Sequence, residues 1–229
     1  MKKHLYITKV MVWGMAAAVG LGVCSCKKES PPEETKDTQG ETDKKPPAKP
    51  PETTTPKATK ANEAGKVLAV LEAWRIGQQE KAWEVLVGID WQQPMTFPPD
   101  RHAFVMTEEG LVALAQAEQK RIFTGMTNDF KVIREMAKAV ADQAQAAQDK
   151  GQAERRLYGA YRLGRVLNRD PDGVIIGTLV GIAVQRLTLD ELIGIYQETN
   201  QSEKLKQAQA TVKKLEDQLE AVKKRARGN

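Results

Sequence analysis

Side chains able to do chemistry are few in this sequence, and they are scattered. Both cysteines, Cys24 and Cys26, lie near the start of the chain. Beyond residue 61 the only histidine is His102 and the only serine is Ser202. Cysteine nucleophiles, histidine-based triads and ordinary His/Cys zinc sites therefore lack their parts in that region. No glycine-rich phosphate loop occurs, so no nucleotide or dinucleotide cofactor is expected. His102, beside Asp100 and Arg101, is a lone titratable group in a proline-rich stretch. Carboxylates are abundant, but Glu108 and Glu109 stand where acids favour a helix start, and no pair is singled out for acid/base work on a glycan. A weak calcium candidate is Asn168, Asp170 and Asp172, followed by Gly173 and Ile175, which has the oxygen spacing of a calcium loop. The position that should supply a bidentate acid is Leu179, and Pro171 interrupts the loop. An interhelical turn explains the same residues, so no metal is expected.

The elements that must position these residues begin with a leader. Residues 1–9 are cationic and Val10 to Val23 is apolar, ending in Cys-Ser-Cys and then polar residues. That is the plan of a signal peptide, and the apolar run falls short of the roughly 20 residues of a membrane-spanning helix. Removing Lys2, Lys3 and Lys9 with the leader takes the net charge from +5 to +2, which together with export disfavours nucleic acid as a partner. Residues 26–61 form a linker. From 27 to 60 it holds no Val, Ile, Leu, Met or aromatic residue, and seven of the 11 prolines fall between Cys26 and Lys60. Such a segment cannot offset the entropy of ordering; it is expected to be a semi-rigid tether reaching on the order of 100 Å when extended.

Val23-Cys24-Ser25-Cys26 resembles a bacterial lipobox, in which a small residue precedes a cysteine that receives diacylglycerol. The resemblance implies Cys26 as the lipidated residue, because Ser25 precedes it, with Cys24 as second choice because Val23 is branched. Two acyl signals would give stable anchoring. Lys27 in place of an acid after Cys26 resembles the class sorted to the outer membrane, so the expected location is exported, lipid-anchored and facing the periplasm, outer membrane over inner.

From residue 62 the apolar spacing becomes helical, and no strand-like alternation appears, so the expected fold class is all-α. Val67, Leu68, Leu71 and Trp74 share a face, Gly77 stops the helix, and Ala82, Trp83 and Leu86 resume the pattern to Gly88. Residues 88–106 read as a loop packed by Trp91, Phe97 and Phe104. Thr107 caps a long helix that Gly125 or Asn128-Asp129 would kink and Gly151 would end. A second hairpin follows through Leu157 and Tyr161 to Leu167. Val174 to Val184, with Gly177 and Gly181 four apart, predicts a buried helix in close contact with a neighbour. Thr188 to Glu191 reads as a capping box opening another helix toward Asn200, and Ser202 as the cap of the last one. Residues 201–229 carry Leu205, Ala208, Val212, Leu215, Leu219 and Val222 at heptad spacing, which suits either docking on the helical domain of residues 62–200 or self-association through 203–226 as a short coiled coil.

The hairpins resemble tetratricopeptide-type repeats in Trp74-x-x-Gly77 with Ala82, in the Ala144-to-Gly151 turn with Ala153 and Leu157, and in Leu192 to Tyr196 with Asn200. Trp74, Gly77, Ile89-Asp90-Trp91 and Pro94 before a long helix are also similar to helical envelope lipoproteins of bacteria, a likeness that brings no activity with it. The repeat resemblance implies a solenoid presenting a concave surface to protein partners; an irregular bundle fits the same hairpins. The expected function is a lipid-anchored interaction or assembly module of the cell envelope, not an enzyme, with an envelope protein as partner. The alternative is a carboxylate-dependent enzyme acting on cell-wall glycan.

Overall fold

The structure, a computed structural model, describes residues 62–228. The leader, the linker and both candidate lipidation cysteines lie outside the described residues. Among the described residues there are eight helices and no strand: α1 Glu63–Arg75, α2 Gln79–Val87, α3 His102–Val105, α4 Glu108–Val112, α5 Gln116–Ala146, α6 Lys150–Leu167, α7 Ile175–Glu198 and α8 Ser202–Arg227. The all-α expectation holds.

The first hairpin forms as its sequence predicts. Asn62 caps α1 by accepting from the Ala64 N–H at 3.1 Å. Gly77 ends the helix with φ +78, letting its own N–H reach the Trp74 carbonyl and the Gln78 N–H reach that of Ala73, which closes a Schellman turn. Trp74 and Trp83 then meet edge to face at 5.1 Å, with Trp83 buried. The following loop is tied back to α1: Glu63 accepts the Asp90 N–H at 2.9 Å, and Asn62 donates to the Thr96 carbonyl at 3.0 Å. Inside the loop expected over 88–106 the chain makes one helical turn, α3, because Phe104 buries itself stacked 4.4 Å from Phe97 and the prolines all precede it.

Thr107 caps as expected, accepting the Gly110 N–H at 3.0 Å, but the helix it opens is short. The chain breaks at Ala113–Ala115, where the Gln119 side chain donates to the freed carbonyls of Leu114 at 2.8 Å and Val112 at 3.2 Å. Neither Gly125 nor Asn128 splits α5. A Cβ on Gly125 would meet nothing within 4 Å, so this glycine forfeits helix propensity of about 1 kcal/mol within a continuous helix. Gly151 does not end α5 either. The helix stops at Ala146, and Asp149 caps α6 by accepting the Gln152 N–H at 2.9 Å, which puts Gly151 inside the first turn of α6.

α7 is the centre of the fold. It packs against α5, α6 and α8 and buries side chains all round, from Thr178 and Ile182 to Leu192 and Tyr196. The helix expected to begin at Thr188 is only its second half. Thr188 is fully buried and donates its hydroxyl to the Val184 carbonyl at 2.9 Å, so the residue that could cap a helix instead satisfies itself inside one. The glycine contact is as expected: a Cβ on Gly181 would lie 2.6 Å from the Gly164 carbonyl oxygen of α6. No described helix is long and apolar enough to cross a membrane.

Asn200, at φ 55, turns the chain into α8. Ser202 is the first helical residue there rather than its cap, because the tight turn starts the helix one residue early. α8 docks on α7 and buries Ala208, Leu215 and Val222, one residue per heptad. Because α1 reaches α5 and α2 reaches α6 while helix lengths run from 4 to 31 residues, the helices form an irregular bundle around α7.

Candidate functional site

The chemical candidates read from the sequence do not converge. His102 opens α3 with its Nδ1 buried and without a hydrogen-bond partner. Glu108 reaches across the fold to accept the Ile175 N–H at 3.0 Å, so it caps α7 rather than facing another acid. Two of the three calcium candidates are engaged by α8. Asn168 exchanges two hydrogen bonds of 2.9 Å with Gln218, and Asp170 lies 2.5 Å from Arg225 as an ion pair without hydrogen-bond alignment. Asp172 stands beside them in the α6–α7 turn. Among the described residues no three His, Cys, Asp or Glu side chains gather as a metal site.

What the fold does assemble is a polar face on α6. Leu157, Ala160, Leu163 and Leu167 turn inward, leaving Arg155, Tyr158, Arg162 and Arg165 in a row on the other side at helical spacing. Tyr158 is 41% exposed, high for so large a ring. The Arg162 guanidinium sits 4.8 Å from its centroid and donates to its hydroxyl, while the Tyr161 ring stacks beside it at 6.0 Å. Burial raises the Tyr161 phenol above its ordinary value, against the opposing charges of Arg165 and Arg162.

The neighbouring edge is closed by ion pairs. Glu154 accepts from the Tyr196 hydroxyl at 3.2 Å and from Lys204 at 2.7 Å, and the Lys204 ammonium lies 5.4 Å from the Tyr196 ring centroid. Burial first, and the Glu154 charge second, push the Tyr196 phenol far above the usual tyrosine range. That phenol is a fixed donor. Three of the chain's four tyrosines therefore share this region of α6 and α7.

Sequence reasoning placed Tyr161 and Tyr196 in the apolar pattern and gave Tyr158 no role. The available signal was the spacing of Arg155, Tyr158, Arg162 and Arg165, which repeats every three or four residues as strictly as the buried stripe does. Compared with protein-family models, with curated proteins and with solved structures, the chain matches none.

Proposed function

We propose that the protein is an exported, lipid-anchored interaction module of the bacterial cell envelope, held by a diacylated Cys26 (or Cys24) in the outer rather than the inner membrane, and that it engages an envelope protein through the exposed face of α6. The observation that carries the interaction reading is the exposed Tyr158 with Arg162 against its ring and Arg155 and Arg165 beside it. Tyrosine and arginine are the residues that supply most binding energy at protein interfaces. They combine large contact area with hydrogen bonding, and here they stand on a helix rather than a loop. The leader and the lipobox resemblance support the anchoring half, and the long proline-rich linker would let the domain reach a partner away from the membrane.

Each half has its own test. A photo-crosslinking residue at Tyr158 in living native cells should yield a discrete protein adduct, where the same residue at Lys131 on the outer side of α5 yields none. Absence of any adduct from Tyr158 refutes the interaction reading. Cys26→Ser and Cys24→Ser, singly and together, address anchoring. If all three variants stay with the membrane after a high-salt wash, the lipid anchor is wrong.

A further inference from the structure

We propose that the α6 face takes an acidic protein segment, one that presents carboxylates to Arg155, Arg162 and Arg165 and lays an apolar side chain on Tyr158; this rests on the interaction reading above and gives its partner a chemistry. Charge accounting on the helix leads there. α6 carries Lys150, Arg155, Arg156, Arg162 and Arg165 against a single acid, Glu154. Lys150 is paired with Glu198 at 3.0 Å, and Arg156 with Glu80 at 2.7 Å. Glu154 is itself taken by Lys204 and Tyr196. Among the described residues Arg155, Arg162 and Arg165 have no carboxylate partner within 4.0 Å, and all three lie along one row.

The geometry is specific. At 1.5 Å rise per residue, Arg155 and Arg162 stand about 10 Å apart along the axis, and Arg155 and Arg165 about 15 Å. Carboxylates two turns apart on a facing helix match the first spacing. Planar guanidinium forks select carboxylates they can hold through two parallel hydrogen bonds, and Tyr158 between them offers a ring for apolar contact. An anionic membrane surface is the less fitting occupant. Such surfaces attract lysine as readily as arginine and admit an apolar helix face, whereas the apolar stripe of α6 is buried in the bundle.

The test uses the full chain in detergent micelles and a labelled peptide of Glu-Glu-Leu repeats, with Gln-Gln-Leu repeats as the uncharged counterpart. Fluorescence anisotropy at low salt should show the acidic peptide binding at least tenfold tighter than the neutral one. The combined Arg155→Gln, Arg162→Gln and Arg165→Gln variant should lose at least tenfold, about 1.4 kcal/mol. Control substitutions Lys120→Gln and Arg134→Gln, two exposed cations on α5, should leave binding unchanged. Far-ultraviolet circular dichroism checks that each variant keeps its helices. Equal binding of the two peptides, or equal loss from the α5 control, overturns the proposal. So does arginine-dependent sedimentation with vesicles of equal parts phosphatidylcholine and phosphatidylglycerol when the peptide does not bind, which would assign the face to lipid. If the Tyr158 adduct forms in cells but the acidic peptide fails here, the acidic-segment proposal falls alone. If no adduct forms, the interaction reading beneath it falls as well.

Discussion

Replacing Gly181 by alanine, with Gly194→Ala as its partner experiment, tests the packing that holds α6 in place. Both glycines are interior to α7, so both substitutions gain about 1 kcal/mol of helix propensity and restrict the unfolded chain alike. Their surroundings differ. A Cβ at Gly194 meets nothing within 4 Å, but at Gly181 it would stand 2.6 Å from the Gly164 carbonyl oxygen and 2.7 Å from the Asn168 backbone nitrogen. Both obstacles are backbone of the last turn of α6, which cannot rotate away as a side chain can. Accommodating the methyl means separating the helices, and overpacking of this kind costs about 1–3 kcal/mol. Because the propensity gain cancels between the two variants, that cost is the whole expected difference in stability. For a chain of this size it is a gap of roughly 2–12 °C in melting midpoint, with Gly194→Ala above the parent and Gly181→Ala well below Gly194→Ala. Thermal unfolding followed by circular dichroism measures it. If the two variants melt together, above the parent, α6 and α7 do not approach as closely as described.

Three further outcomes follow from individual side chains. Thr178 is fully buried and its hydroxyl has no partner, so Thr178→Val should raise stability by about 1 kcal/mol, whereas Thr188→Val, which deletes a hydroxyl bonded to Val184, should not; urea titration of both variants decides. Glu63 lies below its ordinary 4.5 chiefly through the Lys66 hydrogen bond, and Asp90 below its ordinary 3.8 chiefly through the Gln92 N–H. Depressed carboxyls contribute stability that is complete above those ordinary values and lost as pH falls through the lower folded ones, so Glu63→Gln should flatten the decline in urea midpoint between about pH 6 and about pH 3. An unchanged slope would show that the Lys66 hydrogen bond and the Asp90 N–H do not hold the Glu63 carboxyl down in the folded chain. Tyr161 and Tyr196 are raised above 10.0, chiefly by burial, so an ultraviolet titration of the folded chain should leave two phenols protonated after the unfolded chain has released all of its own. Those two groups also make stability fall as pH rises through 10, and Tyr196→Phe should remove part of that fall.

The sequence makes the helices legible wherever a local rule acts alone. Gly77 with a positive φ, Thr107 with its Gly110 bond and Leu167 before a polar turn all end or begin helices where their types say they should. It misleads wherever one residue type serves two rules. Gly125 and Gly151 carry the glycine that stops helices, yet one faces open space and the other follows a stronger signal, the Asp149 cap. Thr188 looks like a cap because a threonine followed by acids looks like one anywhere, and only tertiary burial reveals that its hydroxyl is answered from the turn behind. The break at Ala113–Ala115 had no local sign because its support comes from Gln119, several residues onward. As for the α6 face, periodicity finds buried stripes by their apolar residues. A polar stripe on the opposite side becomes conspicuous only after Lys150, Arg156 and Glu154 are known to be paired elsewhere.

That pairing matters because of how α6 is held. On one side a Cβ at Gly159 would lie 2.8 Å from Leu86 of α2, and on another a Cβ at Gly164 would lie 2.9 Å from the Gly181 carbonyl oxygen of α7. Close approaches on two sides fix both the rotation of α6 and its position along its axis. Arg155, Tyr158, Arg162 and Arg165 therefore project from a backbone clamped on two sides. Long cationic side chains on a mobile helix would lose much of their interaction free energy on being ordered by a partner. Here the backbone cost has been met in folding, and Arg162 is already laid against Tyr158 before any ligand arrives. Loosening the clamp with Gly181→Ala should then weaken acidic-peptide binding although the substitution touches none of the binding residues, while Gly194→Ala in the same helix should not. Equal affinities for the two variants would mean that the row of arginines works without a rigid base.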